Sequence, residues 1–274
     1  MKYEVIDIKT GVASRSDYQP TLTAYILDEK CKNANIKRPA VIVCPGGAYM
    51  YTSEREAEPV AIQYLAGGCH AFVLRYSCAP AVFPTALLEL ARAVQIVREH
   101  ADEWHVDENK IIISGFSAGG HLAASLSVFW DRDFVREALG VQSELVKPNG
   151  SILCYPVITS GKFAHRGSFG NALAEKEHDE DMLELLSLEK QVSSSTPPTF
   201  LWHTWADGAV PVENSLFYAQ ALRENGVPTE LHIYPRGGHG ISLANEETST
   251  DDAAHIIPEC QDWIAKAVDW VKRL

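Results

Sequence analysis

The chain has 274 residues, 46% of them hydrophobic and 22% charged, and a formal net charge of −12. That balance suits one soluble globular domain, 1–274, with a substantial core. Nucleic acid and anionic membranes are poor partners for so acidic a surface, and neither is expected. No apolar run approaches the roughly 18 residues that mark a membrane span. The N-terminal MKYEVIDIKTG alternates polar and apolar residues and lacks the apolar centre of a secretion signal, so the expected location is cytoplasmic. The cysteines, Cys31, Cys44, Cys69, Cys78, Cys154 and Cys260, form no C-x-x-C pair and read as reduced, mostly buried thiols. His100 and His105 are five apart, which does not place two ligands on one helix face, and no metal is expected.

Strands are expected first at 3–9 and 21–27, with no helix between them, as antiparallel edge strands. The apolar run 40–44 (AVIVC) is a third strand and ends in Pro45-Gly46-Gly47-Ala48-Tyr49. A helix over 55–66 stops at Gly67-Gly68. A strand at 70–75 follows, then a helix over 85–103 with Leu87, Leu90, Ala91, Val94 and Val97 at helical spacing. The strand 110–114 (KIIIS) is apolar without alternation, as a strand buried on both faces should be. Helix 118–129, strand 150–155, strand 199–203, helix 213–225, strand 229–234 and helix 259–273 complete the series. Strands alternating with helices imply an α/β fold: a mostly parallel sheet of about eight strands with helices on both faces. Segment 156–198 is too long for an ordinary connection. It is expected to be a small insertion or cap over the sheet, with a short helix near 178–188 burying Met182, Leu185, Leu186 and Leu188. A tolerated surface insertion is the alternative.

Between strand 110–114 and helix 118–129 stands Gly115-Phe116-Ser117-Ala118-Gly119, a G-x-S-x-G motif. A serine presented at the top of a sheet needs a very tight strand-to-helix turn, and glycine on both flanks relieves the crowding. The helix N-terminus then directs its dipole at the place where an oxyanion would form. Such a motif arises by chance in roughly one chain in ten of this length, so its strand-helix context carries much of the weight. The N–H of Ala118, after the serine, and one from the small residues of Pro45-Gly46-Gly47-Ala48-Tyr49, after the third strand, are candidate oxyanion donors. Asp207, in the loop after strand 199–203, is the candidate acid. His239, among Gly237, Gly238 and Gly240 after strand 229–234, is the candidate base. Each has an ordinary alternative: an N-cap serine, a turn aspartate before glycine, an exposed loop histidine. Their order, Ser then Asp then His, is the one that the α/β-hydrolase fold requires. Tyr49, Phe116 and Trp205 adjoin these groups and are candidates for lining the pocket, Trp205 being equally suited to the core.

The segments PGGAY, GFSAGGH, HTWADGAVPVENS and YPRGGHG together resemble the bacterial acetylesterase and acetyl-xylan-esterase-like branch of the α/β-hydrolases, from about residue 38 to the C-terminus. The resemblance implies a serine esterase, without cofactor, that hydrolyses short acyl esters, often acetyl, on sugars or xylo-oligosaccharides. It carries the nucleophile to Ser117, the acid to Asp207, the base to His239 and the oxyanion donors to Gly47 and Ala118, with Ala48 as a further donor. The hormone-sensitive-lipase-like branch has HGGG and an aspartate before the serine; PGGA and Phe116 stand here, which argues against that branch. Two other functions fit the same residues: a serine peptidase or arylamidase with prolyl-oligopeptidase-like chemistry, and a hydrolase-like fold used only for binding. The expected partner is a small-molecule ester, and a homo-oligomer is compatible with the sequence.

Overall fold

A computed structural model of the protein describes residues 1–28, 36–250 and 254–274; Cys31 lies outside them. The strands are β1 (Lys2–Asp7), β2 (Thr21–Ile26), β3 (Arg38–Cys44), β4 (His70–Arg75), β5 (Val106–Phe116), β6 (Gly150–Cys154), β7 (Thr199–Thr204) and β8 (Thr229–Tyr234). They form one sheet in the order β1-β2-β4-β3-β5-β6-β7-β8. β1 and β2 pair antiparallel, as does β2 with β4, and every later pairing is parallel. The sequence expectation of antiparallel edge strands followed by a parallel sheet is met.

Side-chain alternation divides the core cleanly. On one face Ile42, Ile111, Ile113, Leu153 and Leu201 pack with α2 (Thr85–Glu99), α3 (Ala118–Phe129) and α8 (Glu213–Glu224). On the other, Val41, Val43, Ile112, Ile152, Phe200 and Trp202 pack with α1 (Glu58–Ala66) and α9 (Trp263–Arg273). The three consecutive isoleucines of β5 are fully buried because each face of the strand meets a helix layer.

Some boundaries shift for local reasons. The helix expected from residue 55 is a 3-10 turn, Glu54–Glu56, followed by α1, which has Pro59 in its first turn. The C-terminal helix likewise starts at Trp263, after a turn at Pro258–Cys260. Sequence reading missed α4 (Asp133–Leu139), α5 (Ser143–Val146) and α6 (Arg166–Leu173). The last, RGSFGNAL, carries two glycines, and its buried Phe169, Ala172 and Leu173 span little more than one turn, too short a pattern to announce a helix.

Segment 156–198 contains α6 and α7 (Glu180–Leu185), the latter inside the expected 178–188. Leu186 and Leu188 are fully buried and Met182 and Leu185 pack partly against the same core. Asn214 of α8 fastens the start of the segment, its Oδ1 accepting from the N–H groups of Ile158 (2.9 Å) and Thr159 (3.0 Å). Asn171 of α6 donates to the Ala48 carbonyl at 2.8 Å, which ties the segment to the turn after β3. Among the described residues no helix is long and apolar enough to cross a membrane.

Trp263 links the α9 layer to the loop after β8. Its ring stacks on Trp202 (5.1 Å between centroids) and its Nε1–H donates to the Ser242 carbonyl at 2.9 Å. Trp263→Ala should cost about 3–5 kcal/mol of stability in urea unfolding. A cost below about 1 kcal/mol would show that this layer does not depend on the tryptophan.

Candidate active site

Ser117 lies at the end of β5, where the chain reverses into α3. Its backbone has φ 52° and ψ −118°, a left-handed conformation that a non-glycine residue adopts only under constraint. The clamp is visible. The Ser117 N–H donates to the Cys154 carbonyl (3.0 Å), and its own carbonyl accepts from the N–H groups of His121 and Val157 (both 3.0 Å). The flanking glycines are sterically obligatory. A Cβ on Gly115 would stand 2.1 Å from the Gly119 carbonyl oxygen, and one on Gly119 the same distance from that of Cys44.

The Ser117 hydroxyl donates to His239 Nε2 at 2.7 Å, and His239 Nδ1–H donates to Asp207 Oδ2 at 2.7 Å. Three residues from three separate loops thus form one hydrogen-bonded chain. Ser117 is 7% exposed, so its hydroxyl is reachable through a cleft yet shielded from bulk water. The Asp207 carboxylate is fully buried. Burial pushes its pKa up, but this is outweighed by hydrogen bonds from His203 and His239, the charge attraction of His239 and the Val210 N–H, so the carboxyl is held below the usual carboxylate range. The other oxygen, Oδ1, accepts from Ala209 N–H (3.0 Å) and Val210 N–H (2.9 Å).

His203, on β7, was not singled out by sequence. Its Nε2–H is shared between the Val210 carbonyl (2.9 Å) and Asp207 Oδ2 (3.3 Å), while Nδ1 accepts from the Ser215 hydroxyl (2.8 Å). Asp207 therefore sits between two imidazoles, one buried and one facing the cleft. Glu56, also missed, is a buried carboxylate with a bridging role. It accepts from the Gly46 N–H (2.8 Å) through Oε2 and from the Tyr155 hydroxyl (2.6 Å) through Oε1; that hydroxyl accepts from the Ser242 N–H (2.9 Å). Arg55 donates to the carbonyls of Gly240 (3.0 Å) and Thr248 (2.8 Å), holding the loop that carries His239.

A cleft of about 230 Å3 opens over the serine, with Gly47, Ala48, Met50, Tyr51, His165 and His239 among the residues on its walls. Gly47 and Ala48 thus face the same space as Ser117, and Ala118 is the first residue of the helix that follows it, with no intrahelical partner for its N–H. His165, at the start of α6, accepts the Ser168 N–H at Nδ1 (3.2 Å), which places its proton on Nε2. Burial, with His239 nearby, lowers its pKa from the ordinary histidine value, so it enters the cleft as a neutral ring.

The three sequence candidates for the pocket wall are elsewhere. Phe116 points to the opposite side of the strand from its neighbour and packs, fully buried, on Tyr155 and Trp263. Tyr49 turns inward to a neighbouring cavity of about 20 Å3, and its hydroxyl donates to His121 Nδ1 at 2.9 Å. Trp205 belongs neither to the cleft nor to the core: it is 63% exposed. Adjacency in sequence to a site residue says little about direction, because successive side chains leave a strand on opposite faces. Among the described residues no group of three His, Cys, Asp or Glu side chains is arranged to hold a metal ion.

The sequence pattern of the BD-FAE family matches residues 29–222. The chain is 39% identical to endo-1,4-beta-xylanase B of Butyrivibrio fibrisolvens over 83% of its own length, and 32% identical to an acetylxylan esterase of Xylanibacter ruminicola over 74%. It spans 35% and 41%, respectively, of those two relatives. An acetyl ester-xyloside bifunctional hydrolase from Caldicellulosiruptor lactoaceticus superposes with a TM-score of 0.83 at 36% identity, covering 98% of this chain and 96% of that one. A carboxylesterase from Lactobacillus plantarum gives 0.85 at 29% identity, covering 100% and 98%. The chain belongs to the BD-FAE family of the α/β-hydrolases.

Proposed function

We propose that this chain is a serine carboxylesterase that removes short acyl groups, chiefly acetyl, from sugars or xylo-oligosaccharides through an acyl-enzyme on Ser117. The hydrogen-bonded chain Ser117–His239–Asp207, with both links at 2.7 Å, is the observation that carries this reading. The acetylxylan esterase and the acetyl ester-xyloside hydrolase that the chain resembles support the acetyl and xylan part of it.

In this reading His239 takes the Ser117 proton as Oγ attacks the ester carbonyl. The carbonyl oxygen becomes an oxyanion beside the N–H groups of Ala118 and Gly47, with Ala48 as a further donor. Asp207, ionised and buried, orients the imidazole and stabilises the imidazolium. His239 then gives the proton to the departing sugar hydroxyl, and a water, activated in the same way, releases acetate. The chain acts as a single catalytic domain, with 156–198 as a small cap that brings His165 over the cleft. The five described cysteines are free thiols, which suits a reducing compartment and supports a cytoplasmic site of action.

Ser117→Ala should lower kcat on 4-nitrophenyl acetate by at least about 10^4-fold with the fold intact by circular dichroism; a loss below about tenfold would exclude the mechanism. Acetate esters should be cleaved faster than octanoate esters in a cleft of about 230 Å3. Equal or reversed rates would point to a lipase-like pocket, and efficient cleavage of peptide anilides to a peptidase. The depressed carboxyl also has a thermodynamic consequence. Asp207 binds its proton less readily when folded than when unfolded, so it stabilises the fold above the ordinary aspartate pKa of about 3.9, and that contribution is lost as the pH falls through and below it. The stability gap between wild type and Asp207→Asn should therefore be constant above about pH 5 and narrow as the pH falls below about 4, as read by chemical denaturation; a gap that stays constant below about pH 4 would mean that the charge contributes nothing.

A further inference from the structure

A second cleft, of about 300 Å3, adjoins the one over Ser117, and the two share Met50 and Tyr51. Its volume alone is at the lower end of the range for small-molecule sites, roughly 300–1,000 Å3. Its remaining wall includes Tyr18, Thr52, Tyr76 and Ser16, and no described residue lining it is charged. On a chain with net charge −12 that neutrality is a feature to explain. Tyr18 is 50% exposed, Tyr51 60% and Met50 62%, so two aromatic rings and a thioether stand largely in solvent beside the cleft. Large apolar groups grouped on a surface next to a reactive cleft mark contact with a ligand. Tyrosine offers a flat apolar face and a polar edge at a low entropy cost.

The walls are held before any ligand arrives. The Met50 and Tyr51 N–H groups donate to the Gly47 carbonyl (2.8 and 3.3 Å), and the Ser53 N–H to that of Gly46 (2.9 Å). Arg75 donates to the Thr52 hydroxyl (3.1 Å), so its cation is occupied with the outer edge of this loop. The Ala79 N–H donates to the Tyr49 carbonyl (2.8 Å), and that of Tyr18 to the Ser16 hydroxyl (3.1 Å). A groove that is rigid, uncharged, aromatic and rimmed by hydroxyls matches a neutral polyol ring: C–H faces stack on tyrosine and ring hydroxyls meet Ser16, Thr52 and the tyrosine edges. A charged ligand would meet no charged residue on the groove wall, Arg75 behind Thr52 being paired with Glu54, and a long acyl chain would meet hydroxyls along its length.

We propose that this groove is a sugar subsite, which holds an unacylated pyranose ring next to the one whose ester is cleaved, stacked on Tyr18 and Tyr51. The inference rests on the carbohydrate-esterase reading for the identity of its occupant. Tyr51, on both clefts, is the divide between the subsite and the reacting ester, and Tyr18 belongs to the subsite alone.

Two measurements separate the subsite from the chemistry. Calorimetric titration of the Ser117→Ala chain with unacetylated xylotriose reads binding without turnover. Tyr18→Ala in that background should weaken xylotriose about tenfold, and Tyr18→Phe, which keeps the ring, less than about twofold. In the active enzyme, Tyr18→Ala should lower the ratio of kcat/KM on acetylated xylotriose to that on 4-nitrophenyl acetate by about tenfold, through KM. Xylotriose binding that is absent, or unchanged by Tyr18→Ala, would overturn the subsite even where 4-nitrophenyl acetate is hydrolysed. Tyr18-dependent xylotriose binding by an enzyme that releases no acetate from any ester would support the subsite while removing the esterase reading.

Discussion

At Ser117 the chain must turn from a buried strand into a helix within one residue, and the backbone conformation that permits this is unfavourable for serine. The surroundings hold it there. Gly119 packs so closely on the carbonyls of Cys44 and Pro45 that α3 abuts the end of β3 without an intervening side chain. That contact brings the Pro45-Gly46-Gly47 turn alongside the serine. The parallel order β3-β5-β6-β7-β8 then sets the loops carrying Gly47, Ser117, Asp207 and His239 at the same end of the sheet. The reactive geometry is thus a consequence of one tight crossing, supported by pairs of core layers that fix both faces of β5.

The polar groups around that crossing are satisfied through few, long-range links. Glu56 joins the Gly46 turn to Tyr155 at the end of β6, and Tyr155 passes the connection to the His239 loop at Ser242. Asp207 gathers two backbone N–H groups and two histidines. A buried carboxylate so thoroughly partnered is rigid as well as ionised, and both properties suit the task proposed for it, holding the His239 imidazole in one tautomer. His203 and Arg55 supply that rigidity from behind and beside the site.

Much of the scaffold could be read from local pattern. The isoleucine run of β5, the helical spacing in α2 and the glycine stops follow from burial and backbone sterics that act within a few residues. Ser117 was legible for the same reason, since its turn leaves glycine as the only tenant of two positions. Asp207 and His239 were found by position after strands, and the fold brings them within hydrogen-bond distance of one another and of Ser117. Glu56, Tyr155, His203 and Arg55 were not legible. Glu56 and Tyr155 are 99 residues apart, and His203 reads as an ordinary strand residue. Phe116 and Trp205 stand beside site residues in sequence yet lie outside the cleft, and the glycines and short length of α6 mask it. The aromatic groove joins residues from the N-terminal segment and two later loops, a neighbourhood that only the folded chain reveals.

Labelling with an active-site fluorophosphonate, followed by peptide mapping, shows whether Ser117 is the nucleophile. One label per folded chain is expected, on Ser117, absent when the chain is unfolded before reaction and strongly slowed in His239→Ala. Failure to label Ser117 in the folded protein, or stoichiometric labelling of another residue, would contradict it.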